Sequence, residues 1–186
     1  MSPPERKKSN WSSVKAALSQ LKQDELLGLL RDLYEVSPSN KQFMEARLRI
    51  GANQIAPFKK IVADYMYPDV YKNRPVQIAK AKKAISDYRK AAPSDALGAI
   101  DLMIFFVECG NRLTCDFGDI DEPFYDALLS MYAKAVEAVV GLPEPAAEPF
   151  RNRLRELTES SKGIGWGYHD GLCDEYYSAF PEEDSE

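Results

Sequence analysis

The residues best placed to do chemistry lie in two segments. The first is Gly163-Ile-Gly-Trp-Gly-Tyr-His-Asp-Gly171, which holds four of the ten glycines and the single histidine of the chain. Glycine lets the backbone approach a ligand closely and adopt left-handed angles at no steric cost. The helix that follows presents free N–H groups that can hold an anion. Gly163, Gly165, Trp166, Gly167 and Tyr168 are therefore candidate ligand-binding residues. The competing reading is a packing turn that tucks Trp166 and Tyr168 into the core, with Asp170 capping the helix. The second segment, residues 116–122, carries Asp116, Asp119, Asp121 and Glu122. Spaced carboxylates on a loop suit calcium or magnesium. Yet the EF-hand pattern is absent, and Asp121-Glu122 before Pro123 also reads as a helix start. A pocket joining the turn 163–171 to the loop 116–122 would use His169 as acid or base. Asp119, Asp121 or Asp170 would orient it or a divalent metal, with Glu122 a further candidate.

Several chemistries are disfavoured by composition and spacing. The alternating glycines follow no strand and lack a Gly-Lys-Ser/Thr ending, so no standard phosphate loop is present. His169-Asp170 matches the dipeptide of the HD metal phosphohydrolases, but those need several histidines and this chain has one. No GxSxG nucleophile motif occurs. Cys109, Cys115 and Cys173 form no CxxC pair and read as reduced thiols. The alternative, a Cys₃His zinc site of Cys109, Cys115, His169 and Cys173, has one workable i, i+4 spacing and one six-residue gap that suits no compact knuckle. No cofactor is expected.

The elements that must position these segments are helices. Among 186 residues, 45% are hydrophobic and 28% charged, an ordinary globular balance. Apolar residues recur at three and four, which predicts an all-α domain of about eight helices, an irregular bundle or solenoid-like array. Ser12 or Ser13 is expected to cap the first helix. Leu26, Leu27, Leu30, Leu33 and Tyr34 form the stripe of a second helix over 24–36. Ser37-Pro38 starts a third, and Gly51 is placed to end it. Further helices follow over about 55–66, 75–92, 95 onward to the acidic loop, the loop to 140, 146–160 and 169–179. The helix carrying Leu97, Ile100, Ile104 and Val107 is apolar on nearly all sides and should be buried. A basic arm is expected over residues 1–11, one domain over 12–180 and an acidic tail over 181–186.

The net charge of −5 conceals a division. Residues 1–90 hold 18 Lys+Arg and 9 Asp+Glu, whereas residues 91–186 hold 6 and 20. Docking of the two halves is the simplest use of this dipole. The basic face of the 75–92 helix, with Lys80, Lys82, Lys83, Arg89 and Lys90, reads as a solvated face before it reads as a nucleic-acid site. No segment approaches the roughly 20 apolar residues of a membrane span; residues 96–107 are too few and include Asp101. No apolar leader follows Met1, so a cytoplasmic location is expected.

The segments Leu26-Leu-Gly-Leu-Leu-Arg-Asp-Leu-Tyr34, Ser37-Pro-Ser-Asn-Lys41, Phe117-Gly-Asp-Ile-Asp-Glu-Pro-Phe-Tyr125 and Gly163–Gly171 together resemble an uncharacterised bacterial helical family known as a domain of unknown function. The resemblance spans about residues 12 to 180. It implies an all-helical bacterial cytoplasmic protein and supplies no activity or catalytic residue. The expectation is therefore a non-enzymatic interaction module that binds a protein partner or its own kind, with the turn–loop pocket as the alternative.

Overall fold

The computed structural model describes residues 10–72 and 74–181. Most of the expected basic arm (1–9) and acidic tail (182–186) lies outside the described residues. Among the described residues the chain is all helix, with nine α-helices and no strand. They are α1 (Trp11–Leu18), α2 (Gln23–Val36), α3 (Pro38–Leu48), α4 (Ala56–Met66), α5 (Ile78–Ala91), α6 (Ala96–Phe117), α7 (Glu122–Val140), α8 (Glu148–Ser160) and α9 (Tyr168–Ala179), with a 3₁₀ turn at Val70–Lys72. None of the described helices is long and apolar enough to cross a membrane. The chain divides into two compact units, Met1–Met44 and Glu45–Glu186, with the boundary inside α3.

The helix starts follow local chemistry. Asn10, not Ser12 or Ser13, caps α1: its Oδ1 accepts from the Ser13 backbone N–H at 2.9 Å, which leaves both serines in the first turn. Ser37 caps α3 as expected, accepting from Asn40 N at 3.1 Å. That helix ends earlier than Gly51, at Arg49, whose φ of +55° takes the left-handed position while Ile50 N reaches back to Glu45 O at 2.9 Å. α5 starts at Ile78 and not at Pro75, because Gln77 N is held by Tyr65 O at 3.0 Å ahead of the first turn. Asp95 caps α6 through Gly98 N at 2.9 Å and also accepts from the Tyr88 hydroxyl.

In the second unit α6 is central, with α4, α5, α7 and α8 packed on it and α9 on α7 and α8. Eleven of its 22 residues are buried, as its all-round apolarity predicts. Two glycines set how closely its neighbours come. A Cβ on Gly110 would lie 2.4 Å from Leu128 Cδ2, and one on Gly171 would lie 2.8 Å from Leu129 Cδ2, so α7 crosses both α6 and α9 at bare backbone.

A charged seam joins α4, α6 and α8. Arg153 forms two hydrogen bonds to Glu108, at 2.8 and 2.9 Å, and one to Asp101 at 2.7 Å. Lys59 reaches the other oxygen of Asp101 at 2.8 Å, which ties the basic first half of the chain to the acidic second half. Burial by itself would raise the Asp101 pKa, but the hydrogen bonds and charges of Lys59 and Arg153 outweigh it and hold the carboxyl below its usual range.

The first unit is built differently. Neither α1 nor α2 buries a single residue. Of the apolar stripe that sequence marks on α2, Leu27, Leu30 and Leu33 stand at the surface and Leu26 and Tyr34 are half-buried.

Candidate functional site

The turn and the acidic loop do meet. Asp119 Oδ2 lies 3.9 Å from where a Cβ on Gly165 would sit. Its other oxygen accepts from the Tyr125 hydroxyl at 3.1 Å, and the Tyr125 ring packs 5.3 Å from that of Tyr168. Tyr168 is fully buried, so this half of the packing reading holds. Trp166 departs from it. It is 55% exposed and its φ is +63°, and with Gly163 (φ +85°) and Gly167 (φ +66°) it turns the chain so tightly that its side chain faces outward. A left-handed non-glycine residue costs about 1–2 kcal/mol.

His169 belongs to a different neighbourhood. Its Nδ1 lies 2.8 Å from Ser161 Oγ, and its ring nitrogens lie 3.8 and 3.9 Å from Cys173 Sγ. Ser161 is fully buried and donates to Thr158 O at 2.8 Å, so its one proton is committed and it accepts from His169. A thiol nucleophile needs a lowered pKa. Burial pushes the Cys173 thiol up instead, and Asp170 and Asp174 add to the rise. The histidine thus pins α9 to the end of α8.

The remaining candidates have local partners or none nearby. Asp121 caps α7 through Phe124 N at 2.9 Å, and Glu122 lies exposed in the first turn. Asp170 does not cap α9: the cap position is Gly167, which has no side chain to offer, and Asp170 is exposed. Asp116 accepts from the Tyr67 hydroxyl at 2.6 Å and from Arg112 Nε at 3.3 Å. The Tyr67 bond holds its carboxyl below the usual range; burial opposes it as the second-largest effect, and the Arg112 guanidinium adds to the lowering. Among the described residues no three His, Cys, Asp or Glu side chains converge as metal ligands would. The Cys₃His set is not assembled: Cys109 is buried in the core, and Cys115 points to Ser160 O at 3.8 Å while His169 meets Cys173.

Two surface features are not evident from motifs. A groove of about 790 Å³ runs along α6 between α5 and α7, floored by Ala96, Ala99 and Met103 and edged by Arg89, Lys134 and Glu137. It carries both signs of charge and lies apart from the glycine turn. The other feature is the apolar face of α1 and α2. Trp11 is 68% exposed, Val36 72% and Leu27 57%, and Val14, Leu21, Leu29, Leu30 and Leu33 are each more than a third exposed. Scattered single apolar residues on a surface are ordinary, but contiguous ones mark an interaction site. Helical spacing marks Val14, Leu21, Leu27, Leu30 and Leu33 of this set but not Trp11, Leu29 or Val36, and the exposure is what tertiary structure adds. No family model, no curated protein and no solved structure matches the chain.

Proposed function

We infer that this protein is a non-enzymatic cytoplasmic interaction module, of the bacterial helical kind its motifs resemble, that docks on protein through the open face of α1 and α2. One observation carries the reading: α2 turns Leu27, Leu29, Leu30, Leu33 and Val36 outward on one half of its surface. Covering each of these half-exposed side chains contributes about 1 kcal/mol, half the value for full burial. The five together offer about 5 kcal/mol, which only matches the low end of the roughly 4–15 kcal/mol that association costs. Trp11 and Val14 of α1, and Leu21 just after it, must therefore take part, and an occupant has to span both helices. The turn–loop region supports the alternative less well, since His169 and the carboxylates there serve separate structural partners.

A photoreactive amino acid placed at Leu30 tests the reading in living cells. Cross-linking to protein from Leu30, and not from the exposed position Lys60 on α4, is the expected result. An absence of any cross-link from Leu30 would overturn it.

A further inference from the structure

The stripes of α1 and α2 match when the two helices are laid side by side in the same direction. Trp11, Val14 and Leu18 then face Leu26, Leu29 and Leu33, each pair spaced three and four as in a coiled-coil seam. In a parallel pair the flanking residue after the second core position faces the one before the first core position of its neighbour. That rule sets Lys15 against Glu25, opposite charges, while Lys22 lies beyond α1 as the extended N-cap of α2. Among the described residues Lys15 enters no ion pair. Glu25 accepts the backbone N–H of Lys22 with one oxygen, at 2.7 Å, and its other oxygen is not engaged by that bond.

One chain cannot make this pairing within itself. The turn bonds Gln20 N to Ala17 O and Leu21 N to Leu18 O carry the helical path of α1 on to Leu21. In the matched register Gln23 would have to lie ahead of the first turn of α1, about 20 Å back along its axis from Leu21 at 1.5 Å per residue. Two extended Cα steps reach only about 7 Å. A short connection permits antiparallel neighbours only. We propose that the open face of α1 and α2 is closed by a second copy of this chain, with α1 of each copy lying parallel to α2 of the other. Each contact is then made twice, as a two-fold dimer requires. The choice of partner rests on α1 and α2 being a docking face, and the charges favour the chain's own α1 because its Lys15 lies on the flanking position that meets Glu25.

Sedimentation equilibrium of the full chain tests it. The parent is expected to be a dimer at micromolar concentration, and Leu29→Glu to weaken association by about a hundredfold or more. Lys15→Glu should weaken it about tenfold, and Glu25→Lys added to it should restore it, with circular dichroism confirming that helix content is kept. In a background of Cys109→Ala, Cys115→Ser and Cys173→Ser, a copy carrying Val14→Cys should form a disulfide with a copy carrying Leu29→Cys on mixing. A monomeric parent would overturn the proposal, as would failure of the charge swap or a Val14–Leu29 cross-link formed within one chain. A monomer whose Leu30 position still cross-links to a different protein in cells would sink the second copy alone. A monomer that cross-links to nothing would sink the docking face with it.

Discussion

Arg153→Met removes the guanidinium that joins α8 to α6 while keeping the aliphatic volume. Three charge-assisted hydrogen bonds are lost, at 2.7, 2.8 and 2.9 Å, and Glu108 is left without its partner. The side chains involved are partly buried: Arg153 retains 27% exposure, Asp101 22% and Glu108 33%. Breaking a fully buried pair costs about 3–5 kcal/mol, and the residual access to water here lowers the expectation to about 2–3 kcal/mol. For a chain of this size that is a fall in Tm of about 5–10 °C. Asp101 gives the loss a pH signature. Its folded pKa is depressed, so its contribution is present above the unfolded value near 3.9 and is lost as pH falls through the lower folded value. The gap between parent and variant should therefore narrow below about pH 4. Thermal melts by circular dichroism from pH 7 to pH 3 measure both effects. Arg155→Met serves as control, since its 3.9 Å pair with Glu159 is mostly exposed and should be worth no more than about 0.5 kcal/mol. A loss at pH 7 no larger than that of the control, or a gap that widens in acid, would refute the account.

Urea titration should show Gly28→Ala stabilising by about 0.5–1 kcal/mol, because nothing lies within 4 Å of the new methyl on α2. Gly110→Ala should cost about 1–3 kcal/mol instead, since the same methyl lands on Leu128. Trp166→Gly relieves the left-handed residue at a smaller cost in chain entropy and should leave stability level or up to about 1 kcal/mol higher; a loss above that would mean the ring is packed. His169→Ala should cost about 1 kcal/mol for the bond to Ser161, and an unchanged melt would free the histidine for another role. With a thiol reagent on the native protein Cys115 should react first. Cys109 should react last, its thiol being buried and pushed up to about 12 mainly by burial.

Sequence by itself determined the helical class and most helix starts, because those depend on neighbours within one turn. Ser37 before Pro38, Asp95 after Pro93 and Asp121 before Pro123 each place an acceptor at the position where the first free N–H groups emerge. Sequence also identified the glycine turn and the acidic loop, which tertiary structure does bring side by side at Gly165 and Asp119. Only tertiary structure decided what those groups face. Arg153 meets partners 45 and 52 residues away, and no local pattern marks that encounter. Trp166 turns outward where it and Gly167 take two successive left-handed angles, whereas composition alone favours burying an indole. His169 joins Ser161 and Cys173 rather than the loop because the one-residue step from Tyr168 turns it about 100° round α9, toward α8. The leucines of α2 make the same distinction most sharply. Periodicity fixes that they share a face, since that is a property of 3.6 residues per turn, but what covers that face is set by elements no window of sequence contains.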